Sequence, residues 1–158
     1  MNSLTFAAVL GTGLVAGIFF AFSTFVMRAL GRLPENRGIA AMNAINVTVL
    51  NPWFFVAFFG TGVVCVTLVA LSLKGAGGML RAYLLSGCAL YLIGCLFVTM
   101  AFNVPLNNRL ASADPDGSGS GELWASYLSR WTFWNHVRTV ASLAATVAFA
   151  LALRGGWV

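Results

Sequence analysis

Four long apolar runs divide this chain, roughly Leu4–Met27, Trp53–Leu73, Met79–Phe102 and Val137–Leu153. Each can cross a hydrocarbon core of roughly 30 Å, which takes about 20 residues of α-helix. A segment in lipid must satisfy its own backbone donors and acceptors, so all four are read as helices. Between the first two runs, Met42, Ile45, Val49 and Leu50 recur at helical spacing, while Asn43 and Asn46 sit three apart on another face. That pattern predicts a short helix over about 39–50, lying at the interface or capping the bundle. Asn51-Pro52-Trp53 ends it and opens the second span, since proline suits a first helical turn and tryptophan an interface. Between the third and fourth runs, the tract from Ser112 to Gly121 holds no core-forming residue and reads as flexible and solvated. No chemistry is assigned to its Asp114 or Asp116.

The last run has an unusual approach. From Glu122 to Arg154 there is no glycine or proline for 33 residues. As one helix that is about 50 Å at about 1.5 Å per residue, well beyond a bilayer core. The helix therefore either projects about four turns from the membrane or breaks near Asn135. Trp124, Tyr127, Leu128, Trp131 and Trp134 form an aromatic stripe on the projecting part. The fold expected is all-α: a single four-helix transmembrane domain over 1–158, with a short interfacial helix in the first long loop and an extended last helix. The first run lacks a basic leader and is too long for the apolar stretch of a secretion signal, so it is read as a retained helix.

Composition supports lipid as the solvent. Of 158 residues, 59% are hydrophobic and 8% charged, against roughly 45–50% and about 25% in soluble domains. The net charge of +5 is spread over both sides, so no basic stripe for nucleic acid exists. Arg28, Arg32 and Arg37 are expected at anionic headgroups instead. Lys74, Arg81 and Arg154 lie on the side of the termini, and Arg28, Arg32, Arg37, Arg109 and Arg130 on the long-loop side. By positive charge alone the long loops are expected in the cytoplasm, in a bacterial inner membrane. Cys65, Cys88 and Cys95 all sit in apolar runs without metal or disulfide spacing and read as buried small hydrophobes. Ala7, Gly11, Gly13 and Gly17 in the first run, Gly60 and Gly62 in the second, and Gly87 and Gly94 in the third allow close helix approach.

Candidate chemistry gathers at one end of the bundle. Four spans bring the ends of the first and third and the starts of the second and fourth to the same face, with Ser23, Thr24, Arg28, Asn51, Asn103, Asn107, Asn108, Asn135, His136, Arg138 and Thr139. Polar groups at such depth are costly and by default face an interior or a wet cavity. On the last helix Trp131, Asn135, Arg138 and Ser142 share one face, and His136 lies about 100° from Asn135. Arg138 has no acidic residue within four positions, so its expected partners are the amides and carbonyls of Asn103–Asn108, or a substrate oxygen. His136, the only histidine, reads as a general base, a buried strut, or a haem or metal ligand. One histidine without an intramembrane carboxylate cannot complete a zinc or di-iron site. Pro105 is expected to break the third helix and push Val104 out of helical geometry, which yields either a satisfied helix end or an amide-lined pocket.

Phe102-Asn103-Val104-Pro105-Leu106-Asn107, Trp124, Tyr127 and the string Trp131-x-x-Trp134-Asn135-His136-x-Arg138-Thr139 resemble the anthrone oxygenase-like membrane family, formerly a domain of unknown function. The segments 19–25 and 51–53 add weaker support, and the likeness extends over nearly the whole chain. The resemblance implies fungal enzymes that oxidise anthrones to anthraquinones with molecular oxygen, and bacterial members of unknown activity. On that basis His136 is expected as the base and Arg138 with Asn103 and Asn107 as oxyanion partners. Trp131 and Trp134 would form a flat apolar wall, with Asn135 and Asn51 further substrate-binding residues. No cofactor or metal is expected, although haem on His136 stays open. The partners expected are a lipophilic small molecule and membrane lipids, with a homo-oligomer also open. The alternatives to catalysis are a carrier for a lipophilic metabolite or quinone and a structural membrane subunit.

Overall fold

The computed structural model describes residues 1–155. They form five helices and no strand: α1 (Asn2–Leu30), α2 (Glu35–Thr48), α3 (Pro52–Gly75), α4 (Gly78–Ala111) and α5 (Ser120–Gly155). All but α2 are long and apolar enough to cross a membrane. The chain is a multi-pass membrane protein.

Each helix starts where its sequence permits. Asn51 caps α3 by accepting the Phe54 N–H at 3.0 Å, with Pro52 in the first turn where no amide is needed. α2 starts at Glu35, a turn before its apolar pattern, because extended Pro34 precedes it and the Glu35 carboxylate suits a helix N-terminus. α3 turns into α4 through Gly78, whose φ of 54° is a left-handed value natural to glycine.

The helix α5 is central, packing along α1 on one side and α4 on the other, while α3 closes the bundle against both. The lower core joins Val15, Phe58, Leu68, Leu84, Tyr91 and Phe149. It includes Cys65, Cys88 and Cys95, all buried and unbridged. A separate upper core joins Met27, Leu30, Ile39, Met42, Leu110, Trp124, Tyr127 and Trp131. That second core explains the unbroken 36-residue length of α5. Its projecting turns are not bare, because the aromatic stripe is covered by α2 and the ends of α1 and α4. Gly38 makes the cover possible: a Cβ there would lie 2.8 Å from Trp124 Cζ2. Along the outer faces, Phe6, Leu10, Leu14, Val56, Val63 and Val147 remain exposed, as suits contact with acyl chains.

The expected break at Pro105 is absent. Val104 keeps helical angles (φ −62°, ψ −46°), and α4 runs through the proline to Ala111. Two widened π-helical stretches, Leu92–Phe97 and Thr99–Asn103, precede it. Bonds that reach back five residues relocate the carbonyls a proline ring would strike and absorb its missing N–H without ending the helix. Similar turns occupy Phe22–Val26 in α1 and Val56–Gly60 in α3.

Candidate functional site

A cavity of about 450 Å³ lies between α1, α4 and α5, roofed by α2, with Phe22 and Thr99 of two widened turns in its lining. Phe19 and Phe22 of α1, Phe54 of α3 and Trp131 of α5 supply aromatic walls. Met42 and Ile45 of α2 close the top, beside Asn43 and Asn46. From α4 come Thr99, Val104, Asn107 and Asn108. This size and mixed lining suit a small lipophilic molecule.

Arg138 forms the charged part of the lining and is only 3% exposed. Its partners are all neutral. One terminal nitrogen donates to Asn135 Oδ1 at 2.7 Å and the other to Thr99 Oγ1 at 3.2 Å. The guanidinium lies 4.1 Å from the Phe19 ring centre and 5.1 Å from that of Trp131. Ring faces attract a cation without neutralising it. Nε has no partner among the described residues. The four carboxylates of the chain, Glu35, Asp114, Asp116 and Glu122, lie outside the apolar spans. The expected carbonyl partners in Asn103–Asn108 are not used; Thr99 and Asn135 take that place because the unbroken α4 keeps its carbonyls in its own ladder.

Behind Arg138, a hydrogen-bonded frame fixes its position. Asn135 is fully buried and donates from Nδ2 to the Phe19 carbonyl and to Ser23 Oγ, both at 2.7 Å. Ser23 also meets Thr139 Oγ1 at 3.0 Å. Asn103 donates to the Trp131 carbonyl at 3.2 Å, linking α4 to α5. Asn107 Oδ1 accepts from Tyr127 Oη and Trp131 Nε1, each at 2.8 Å, so that the indole is held as a cavity wall.

The sequence-derived residues thus separate into three groups. Arg138, Trp131 and Asn107 line the cavity, while Asn135 and Asn103 brace it from behind. The other three lie elsewhere. Asn51 is a helix cap, with Nδ2 on the Thr48 carbonyl at 3.0 Å, and does not line the cavity. Trp134 stacks on Phe102 with ring centres 3.7 Å apart and fastens α5 to α4. His136 is exposed on the outer face of α5, in grooves shared with Arg28, Ser129 and Phe133, and is not brought to the Arg138 cavity. The helical period explains this: about 100° per residue turns His136 outward when Asn135 points inward.

Sequence reasoning missed Asn43, Asn46 and Thr99 as cavity residues. Asn43 Oδ1 and Asn46 Nδ2 are buried without a partner among the described residues. The signal was present, since two amides three apart on a short helix share a face; only the packing of α2 shows that this face looks down into the bundle. Among the described residues no group of three or more His, Cys, Asp or Glu side chains converges.

The family model described as anthrone oxygenase matches residues 53–148, more than half of the chain. The chain belongs to the anthrone oxygenase family. No curated protein and no solved structure matches it. The segment matched to the anthrone oxygenase model carries Thr99, Asn103, Asn107, Trp131, Asn135 and Arg138, hence the cationic side of the cavity with its frame. The opposing wall on α1 and the α2 roof with Asn43 and Asn46 lie outside that segment.

Proposed function

We propose that the Arg138 cavity binds a lipophilic aromatic molecule whose reactive form carries a negative oxygen, and that the protein oxidises an anthrone-like substrate with molecular oxygen, without a cofactor. One observation carries this reading: a guanidinium buried at 3% exposure, facing an aromatic-walled cavity, with neutral partners alone. Such a group is complementary to an enolate, the electron-rich form of an anthrone.

The chemistry then follows from charge. The CH₂ between the aromatic rings of an anthrone is acidic, and its anion places negative charge on the ring carbonyl oxygen. A cation within about 4–6 Å lowers the pKa of such an acid by about 1–3 units. The lining contains no His, Asp, Glu or Lys, so in this proposal the proton passes to water at the cavity mouth. The carbanion carbon adds O₂ to form a peroxide anion. After protonation, loss of water across the C–O–O–H group leaves a carbonyl. CH₂ plus O₂ becomes C=O plus H₂O, with the substrate oxidised and oxygen reduced. Arg138 holds the oxyanion, and the walls formed by Phe19, Phe22 and Trp131 keep the rings flat and water scarce. His136 takes no part in these steps. The balance of Lys and Arg supports a cytoplasmic mouth in a bacterial inner membrane.

The test is turnover of anthrone to anthraquinone by purified protein in detergent under air, followed by absorbance. Arg138→Gln is expected to lower the rate by about 10²-fold or more, the scale of a lost oxyanion donor. His136→Ala is expected to stay within about threefold of the parent, whereas loss of a general base costs about 10²–10⁴-fold. An active Arg138→Gln protein would sink the proposal. Anthraquinone binding without turnover in the parent protein would make it a carrier.

A further inference from the structure

A second site lies on the outer face of α5 and leaves the cavity out of account. The end of α1 and the projecting turns of α5 leave an open groove of about 750 Å³ between them. Arg28 and Arg32, one turn apart and both exposed, stand on its α1 side. Ser129 and Thr132 face them from α5, and Met27 and Leu128 contribute apolar lining. No carboxylate lines it.

Deeper along the same face, this groove meets a furrow of about 430 Å³ between α5 and Leu90 of α4. Phe133 and His136 line both spaces. Below them the furrow is wholly apolar, with Val137, Val140, Ala141 and Ala144 at helical spacing. The two alanines keep it open. Along α5 the furrow from Phe133 to Ala144 rises about 16 Å at about 1.5 Å per residue. One leaflet with its headgroups spans about 20 Å. A cationic, hydroxyl-bearing head pocket therefore adjoins, at Phe133 and His136, an apolar furrow that continues along α5.

We infer that this groove and furrow form a binding site for one anionic phospholipid, with its phosphodiester between Arg28 and Arg32 and an acyl chain along Phe133, Val140 and Ala144. The charge of the head pocket selects an anionic over a zwitterionic headgroup. The furrow selects a lipid over a free phosphate, because only a lipid fills both parts.

Native mass spectrometry of the full chain in zwitterionic detergent tests this, with phosphatidylglycerol and phosphatidylcholine of identical acyl chains as probes. One phosphatidylglycerol should be retained with a preference of about thirtyfold, in keeping with two basic groups at a membrane surface. Arg28→Gln with Arg32→Gln should erase that preference, and Arg28→Lys with Arg32→Lys should keep it. Both arginines are exposed, so helical content by circular dichroism should not change. Ala144→Phe, which fills the furrow from a half-buried position, should weaken retention of the anionic lipid with the head pocket intact. Glycerol 3-phosphate, a head without chains, should not compete. Equal retention of the two lipids, a preference that survives in the double Gln variant, or effective competition by glycerol 3-phosphate would each overturn the inference.

Discussion

Arg138 concentrates the physical problem of this protein in one side chain. An arginine at the centre of a membrane helix costs about 2.5–3.5 kcal/mol even on the mildest scales, and Arg138, at the start of the last apolar run, bears part of that cost. Two hydrogen bonds and two ring faces offset part of that and leave the charge itself uncompensated. Asn43 and Asn46 carry a similar cost without charge, since an unpartnered buried polar atom costs about 1–3 kcal/mol. Replacing both by leucine should therefore stabilise the empty protein by about 1 kcal/mol or more, read as a higher thermal midpoint. The same change should weaken binding of a hydroxylated anthraquinone, read by quenching of Trp131 fluorescence. A gain in stability with unchanged affinity would remove the pair from the site. At this scale the sequence was informative wherever the helical period decides: Trp131, Asn135, Arg138 and Ser142 share a buried face as their spacing requires. It misled at His136, because a polar residue in an apolar run is satisfied either by facing inward or by lying near the interface. Chain spacing alone does not choose between them.

Among the elements, α2 links the upper core to the cavity. It covers the aromatic stripe of α5 with one part of its surface and turns its two asparagines into the cavity with another. Gly38→Val forces a side chain against the Trp124 indole, where even a Cβ would be 2.8 Å from Cζ2. Overpacking of this kind costs about 1–3 kcal/mol, so the thermal midpoint should fall. Ligand affinity should fall as well, because the roof is displaced. If the midpoint drops while affinity holds, α2 is packing alone and no part of the site. The length of α5 was legible from its lack of glycine and proline, and so was the choice of Asn51-Pro52 as a helix start. The continuity of α4 was not. Pro105 breaks a helix built with regular turns, and nothing in the residue pattern signals the widened turns before it.

For the whole molecule, even crossing sets the topology: the turn between α3 and α4 lies on the side of the termini, and α2 lies with the 112–119 loop on the other. Cysteines introduced by Gly77→Cys and Ser118→Cys, both at exposed positions, test this in intact cells with a membrane-impermeant maleimide. Gly77→Cys should label from outside and Ser118→Cys only after lysis, while the buried Cys65, Cys88 and Cys95 stay unlabelled in the folded protein. Labelling of both from one side would sink the four-crossing topology, and the reverse order would invert its orientation. By itself the sequence determined the membrane as solvent, the four helical crossings, the extended last helix and the end of the bundle that collects polar residues. Those follow from composition and period, which act locally along the chain. Only the tertiary structure decided that Arg138 and not His136 faces the cavity, that Asn51 and Trp134 hold helices in place, and that α2 supplies the roof. These outcomes depend on which helix faces meet across space, and no local pattern encodes that.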